Sequence, residues 1–151
     1  MKEGIIMTMM DLAHHIIAVA HKNNIPVTNL QLQKVMFFSL KHAMNNNLLP
    51  QEVIEEMYDR PFLVWRYGPV VEDVYNEFSV YGATPILDDY TLVNELNNEG
   101  FNREICDLLN QNVFKLVRES HQESFWKENE SQIFFGRGNA RYQLDDVREQ
   151  W

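Results

Sequence analysis

From Thr8 onward the chain carries Met9, Leu12, Ala13, Ile16, Ile17 and Ala20 at helical spacing. Thr8 with Asp11 has the spacing of a capping box, so the first helix is expected to begin at Thr8. Asn23 and Asn24 suit a left-handed stop, and Pro26 ends any continuation. A second capping box, Thr28 with Gln31, opens the run Leu30 to Met44. Its apolar residues are Leu30, Leu32, Val35, Met36, Phe37, Phe38, Leu40, Ala43 and Met44. Turned by about 100° per residue, they cover most of the circumference. That pattern predicts a central helix packed on several sides, stopped by Asn45, Asn46 and Asn47.

Gln51 to Met57 predicts a further turn or two of helix. Phe62 to Trp65, bounded by Pro61 and Gly68, reads as a buried strand. Pro69 suits the first position of a helix marked by Val70, Val74, Phe78 and Tyr81 and ended by Gly82. Ala83 to Leu87 reads as a second extended piece. Asp88 to Gly100 reads either as a helix through Leu92, Val93 and Leu96 or as a mobile connection. Ile105, Leu108, Leu109, Val113, Leu116 and Val117 keep one face and predict one long helix. Ser120 to Asn129 is polar apart from Phe125 and Trp126. A short apolar run, Ile133 to Phe135, precedes Gly136-Arg137-Gly138-Asn139, which reads as a flexible, solvated loop. Asp145 to Trp151 reads as a terminal helix. The expected fold is mainly α: after a tail over residues 1–7, one domain over 8–151 has five to six helices around the Leu30–Met44 helix, with two short extended segments.

The length of 151 residues suits one domain, and 45% hydrophobic with 23% charged residues is ordinary for a folded protein. Thirteen Lys and Arg against 22 Asp and Glu leave a formal charge of -9. Nonspecific nucleic-acid binding is therefore not expected, because it rests on a basic surface. The single cysteine, Cys106, excludes an internal disulfide and a multi-cysteine zinc site. No apolar run approaches the roughly 20 residues needed to cross a bilayer. Met1 to Ala20 makes a poor signal peptide, since His14 and His15 interrupt it and no small-residue cleavage site follows. A soluble, cytoplasmic protein without membrane association is the expectation.

Three constellations carry candidate chemistry. Gln33 and Lys34 sit inside the apolar wall of the second helix. Gln33 is expected to be buried and hydrogen-bonded, and Lys34 to run its stem over Phe37 and Phe38 until its ammonium reaches a carboxylate. A structural polar anchor is favoured over a ligand site. Trp65-Arg66-Tyr67-Gly68-Pro69-Val70 places two aromatics and an arginine before a turn and a helix start. Two readings stand side by side: a turn with both rings in the core, or a partner contact, since exposed Trp, Tyr and Arg are frequent hot spots. Glu72 and Asp73 flank that element and suit the positive end of its helix. Ser120 and His121 with Phe125 and Trp126 form the third group, but no Gly-x-Ser-x-Gly elbow accompanies them. His14 and His15 point to different sides of a helix and no His-Glu-x-x-His occurs, so no metal site is assigned.

These motifs, in this order, resemble the Panacea domain family. The resemblance rests on Leu32-Gln33-Lys34-Val35-Met36-Phe37-Phe38, on Trp65-Arg66-Tyr67-Gly68-Pro69-Val70 with Val71, Val74 and Tyr75, on His121 followed by Trp126, and on Leu144-Asp145-Asp146-Val147. It spans about residues 8 to 151; the Trp-x-Tyr-Gly-Pro-Val element is its specific part. The chain departs from the family in having Phe37-Phe38 where a tyrosine is usual. The resemblance implies a mainly helical, prophage- or plasmid-associated antitoxin that neutralises a cognate toxin by direct contact, with no catalytic residues and no cofactor. An acidic chain suits a basic toxin, with Glu72 and Asp73 as the best contact candidates. Two alternatives remain: an adaptor that delivers a partner to a protease, which needs two separate surfaces, and a small hydrolase using His121, which needs a polar cleft joining it to a nucleophile or metal.

Overall fold

Two reciprocal caps begin the architecture. In the computed structural model, which describes residues 7–149, helix α1 (Met9–Lys22) starts where Thr8 Oγ1 accepts from Asp11 N at 3.1 Å and Asp11 Oδ2 accepts from Thr8 N at 3.0 Å. Helix α2 (Asn29–Asn45) starts in the same way with Thr28 and Gln31. Each such cap is worth about 1 kcal/mol. Every residue from Leu32 to Lys41 is buried, so α2 is the central helix that the sequence predicts. It packs against α1 and, among later elements, most extensively against strand β2 (Gly68–Val70) and helices α5 (Glu99–Leu109), α6 (Val113–His121) and α8 (Leu144–Arg148).

Helices α3 (Gln51–Met57), α4 (Glu72–Phe78) and α7 (Ser124–Asn129) complete the helical set among the described residues. The fold is mainly α, as the apolar periodicity implies, with one two-stranded antiparallel sheet. The tail expected over residues 1–7 lies outside the described residues except for Met7, which is buried. The expected end of the last helix at residues 150–151 also lies outside them.

One strand of the sheet lies where the sequence puts it, within Phe62–Trp65, and its partner does not. Strand β1 (Leu63–Trp65) pairs with β2 in the register Leu63↔Val70, Val64↔Pro69 and Trp65↔Gly68. Pro69 and Val70 are thus strand residues, and α4 begins only at Glu72. Proline is tolerated there because Val64 N donates away from β2, to Ala140 O at 3.2 Å. No ladder bond from Pro69 is needed at that pair. Ala83 to Leu87 forms no strand; Ile86 alone of them is buried, its N–H donating to Val27 O at 2.9 Å. Residues 88–98 are irregular apart from a 3-10 turn at Asn94–Leu96.

The single long helix expected across residues 105–117 is two helices. Asn112 Oδ1 accepts from Phe114 N at 2.8 Å, restarting the chain as α6. A side chain that caps so well competes with helix continuation. The Gly136–Asn139 segment is likewise not a free, solvated loop. Arg66 N donates to Gly136 O at 2.9 Å, and Leu63 bridges Arg141, so the segment runs beside the outer edge of β1. A Cβ on Gly138 would lie 2.4 Å from Val64 O, which is why glycine stands there.

Candidate functional site

The β1–β2 hairpin and the residue that follows it are pinned to α2 by two polar side chains. Gln33 is fully buried; its Oε1 accepts from Val71 N at 3.0 Å and its Nε2 donates to Asn29 Oδ1 at 3.2 Å. Asn29 Nδ2 continues the relay to Tyr75 O at 3.0 Å. Gln33 therefore satisfies the backbone N–H of the residue preceding α4, and is the structural anchor that the sequence favours. Lys34 is fully buried as well, and its Nζ donates to Pro69 O at 2.5 Å. The expected carboxylate partner is absent among the described residues, and burial holds the amine well below the ordinary lysine range. The carboxylate sits two turns further along α2, where Lys41 Nζ meets Glu123 Oε1 at 2.7 Å. Lys41 reaches the residue that precedes α7, whereas Lys34 meets the β2 backbone.

The other side of the hairpin is clamped by α6 and α7. Trp126 is buried and its Nε1 donates to Trp65 O at 2.9 Å. His121 stacks on the Trp126 ring at 3.9 Å, and its Nε2 donates to Arg66 O at 2.8 Å. Burial lowers the His121 pKa, and the bond to the Arg66 carbonyl works against that shift. Ser120 is fully buried with its hydroxyl on Val117 O at 2.7 Å. Serine and histidine are thus each engaged by backbone, and the polar cleft that a hydrolase reading needs is not formed by them. Among the described residues no group of three His, Cys, Asp or Glu is placed to hold a metal ion.

Gly68 closes the turn at φ +103°, a backbone region that suits glycine. A Cβ there would lie 2.3 Å from Ser120 Oγ and 2.8 Å from Lys34 Nζ. The turn thus brings Gln33, Lys34, Trp65, Gly68, Pro69, His121 and Trp126 into one packed knot, with Arg66 and Tyr67 outside it. The reading that puts both rings in the core holds for Trp65, 6% exposed, and fails for Tyr67, 55% exposed.

An aromatic groove of about 560 Å³ opens on this knot. Its walls include Trp65, Tyr67, Tyr75, Phe114, Phe135 and Arg137. The Tyr75 ring meets the Trp65 ring edge-on at 5.1 Å, and the Arg137 guanidinium lies over Trp65 at 4.4 Å. The described residues expose six large hydrophobic side chains, Tyr67, Val80, Leu87, Phe114, Phe134 and Phe135, and three of them border this groove. Phe135 has φ +52°, unusual for a bulky residue, in the tight turn that pairs Phe134 with Arg137. Glu72 and Asp73 are exposed and already face cations: Glu72 lies 4.0 Å from Arg137, and Asp73 lies 3.0 Å from Arg60.

Sequence reasoning missed Phe114, Phe135 and Arg137 as site residues. Phe114 does interrupt the apolar stripe of α6 from the wrong face, and that was the available signal. The other histidines are structural: His15 is buried, with Nδ1 accepting from Val93 N at 3.0 Å and Nε2 donating to Asn102 Oδ1 at 2.8 Å, and His14 stacks on Tyr90 at 3.8 Å. Comparison of the chain with protein-family models, curated proteins and solved structures finds no match.

Proposed function

We propose that this chain is a protein-binding module, an antitoxin of the Panacea kind that neutralises a cognate toxin by direct contact, and that the aromatic groove is its contact surface. The observation that carries this reading is the collection of exposed Tyr67, Phe114 and Phe135 around one apolar groove beside a stacked arginine. Exposed apolar surface costs solubility, and concentrated in one place it marks an interaction site. Aromatic and arginine side chains are the usual anchors of such sites. The knot beneath the groove supports the same reading, because Gln33, Lys34, His121 and Trp126 hold the hairpin rigidly and so limit the ordering cost of binding. The toxin implied by the resemblance would be the product of a neighbouring gene. Expressed alone it should arrest growth, and co-expression of this chain should restore it. Growth arrest that this chain does not relieve, in cells where both proteins accumulate, would refute the proposal.

A further inference from the structure

The groove has a chemical preference that can be read from its lining. Of the residues bordering it, Arg137 alone is charged. Its guanidinium is stacked over Trp65 and lies 5.7 Å from the Tyr75 ring centroid. Among the described residues the nearest carboxylate to it is Glu72, at 4.0 Å, beyond direct hydrogen-bond reach. A guanidinium seated on aromatic faces stays charged and weakly hydrated, and its planar fork matches a carboxylate.

The second observation concerns Trp65. Its side chain is buried, yet its indole N–H has no acceptor among the described residues. Tyr142 Oη is the one sealed, unpaired side-chain atom among them, so the Trp65 N–H is not sealed off from solvent. Gln33 and Asn29, which also line the groove, are buried, and their oxygens each already accept one bond. Arg137 and Trp65 thus bring a guanidinium and an unpaired N–H to an aromatic wall that also holds the hydroxyl-bearing Thr28, Tyr67 and Tyr75. At about 560 Å³ it falls within the range of about 300–1,000 Å³ of sites that enclose a small ligand or a few side chains.

We infer that the groove accepts a segment of the protein partner in which an apolar side chain lies next to a carboxylate, the apolar group against Tyr67, Tyr75 and Phe114 and the carboxylate on Arg137 and the Trp65 N–H. This rests on the protein-binding reading only for what carries the group; the chemistry of the groove stands apart from it. Local charge, not the overall -9, decides the preference, since opposite charge close to an apolar wall is the least screened.

The experiment uses two fragments of equal shape, 3-phenylpropionate and 3-phenylpropylamine, titrated into the full chain while the tryptophan indole N–H signals are followed by NMR. The acid should move the Trp65 signal, leave the Trp126 signal in place, and bind about tenfold more tightly than the amine. Arg137→Gln should erase that preference. Arg137→Lys, which keeps the charge but loses the fork, should reduce it, and this second variant serves if the first fails to fold. Equal or tighter binding of the amine, a preference that survives Arg137→Gln, or a Trp65 signal that does not respond to the acid would each overturn the inference. If the acid fails to bind while groove variants still lose neutralisation of the toxin, this inference falls and the protein-contact reading stands. If the acid binds as described while groove variants neutralise normally, this inference stands and the contact reading falls.

Discussion

Replacing Gly68 with alanine tests how tightly the hairpin is seated on α6. The new Cβ would lie 2.3 Å from Ser120 Oγ, 2.8 Å from Lys34 Nζ and 3.2 Å from Ser120 Cβ. Both neighbours are fully buried, and each is held by a backbone carbonyl, so neither can swing into solvent. The backbone itself sits at φ +103°, a cost of about 1–3 kcal/mol for a residue with a Cβ. Overpacking a tight site adds about 1–3 kcal/mol. Gly68→Ala should therefore destabilise the fold by about 2–5 kcal/mol in urea or thermal melts. Ser120→Ala removes the nearest atom and alone should cost about 1 kcal/mol for its lost hydrogen bond. In that background Gly68→Ala should cost about 1–2 kcal/mol less than in the wild type, a coupling expected only for residues in contact. A Gly68→Ala melt within about 0.5 kcal/mol of wild type, or strict additivity with Ser120→Ala, would refute the packing argument.

Trp65→Ala should cost about 3–5 kcal/mol, because the ring is buried; a melt close to wild type would place the ring outside the core. Lys34 titrates below its ordinary value of 10.5, so between the folded and unfolded pKa the unfolded chain binds the extra proton and stability climbs with pH. Lys34→Met should remove that climb on the approach to pH 10.5, and urea titrations of the two proteins that stay parallel through the alkaline range would contradict it. Burial lowers the His15 pKa below its ordinary 6.5, so the unfolded chain protonates first and stability falls as pH drops through that value. His15→Gln should show a smaller loss than wild type between about pH 7 and 5, read from the same denaturation curves.

How much of this was legible in the sequence follows from the range of the interactions. Both capping boxes, Thr8–Asp11 and Thr28–Gln31, are local and appear as read. The central position of α2 follows from its apolar circumference alone. Pro69 was misplaced because its tolerance in β2 depends on Val64 donating to Ala140, a partner 76 residues further on. The ammonium of Lys34 was sent to a carboxylate, but only the hairpin's return path puts Pro69 O in its way. Glu72 and Asp73 were read as an acidic contact surface, and their arginine partners, Arg137 and Arg60, are distant in sequence and could not be paired in advance. Gln33, Trp65, Gly68 and Trp126 come from three separate sequence motifs, and the fold packs them together around the hairpin. The groove they support is finished by Phe114, Phe135 and Arg137, which meet only after α6 and the 133–141 segment fold back on β1.

The central claim is that the aromatic groove contacts the toxin. Its most direct test is calorimetric titration of the neighbouring gene's product with wild-type chain and with the double variant Tyr67→Ala, Phe114→Ala. Both side chains are 55% exposed, so the variant should melt close to wild type. Two interface anchors worth about 1–2 kcal/mol each predict an affinity loss of at least about thirtyfold. Arg103→Ala, on α5 and outside the groove lining, should bind as wild type does. A folded double variant that binds within about twofold of wild type would contradict the claim and move the contact surface elsewhere on the molecule.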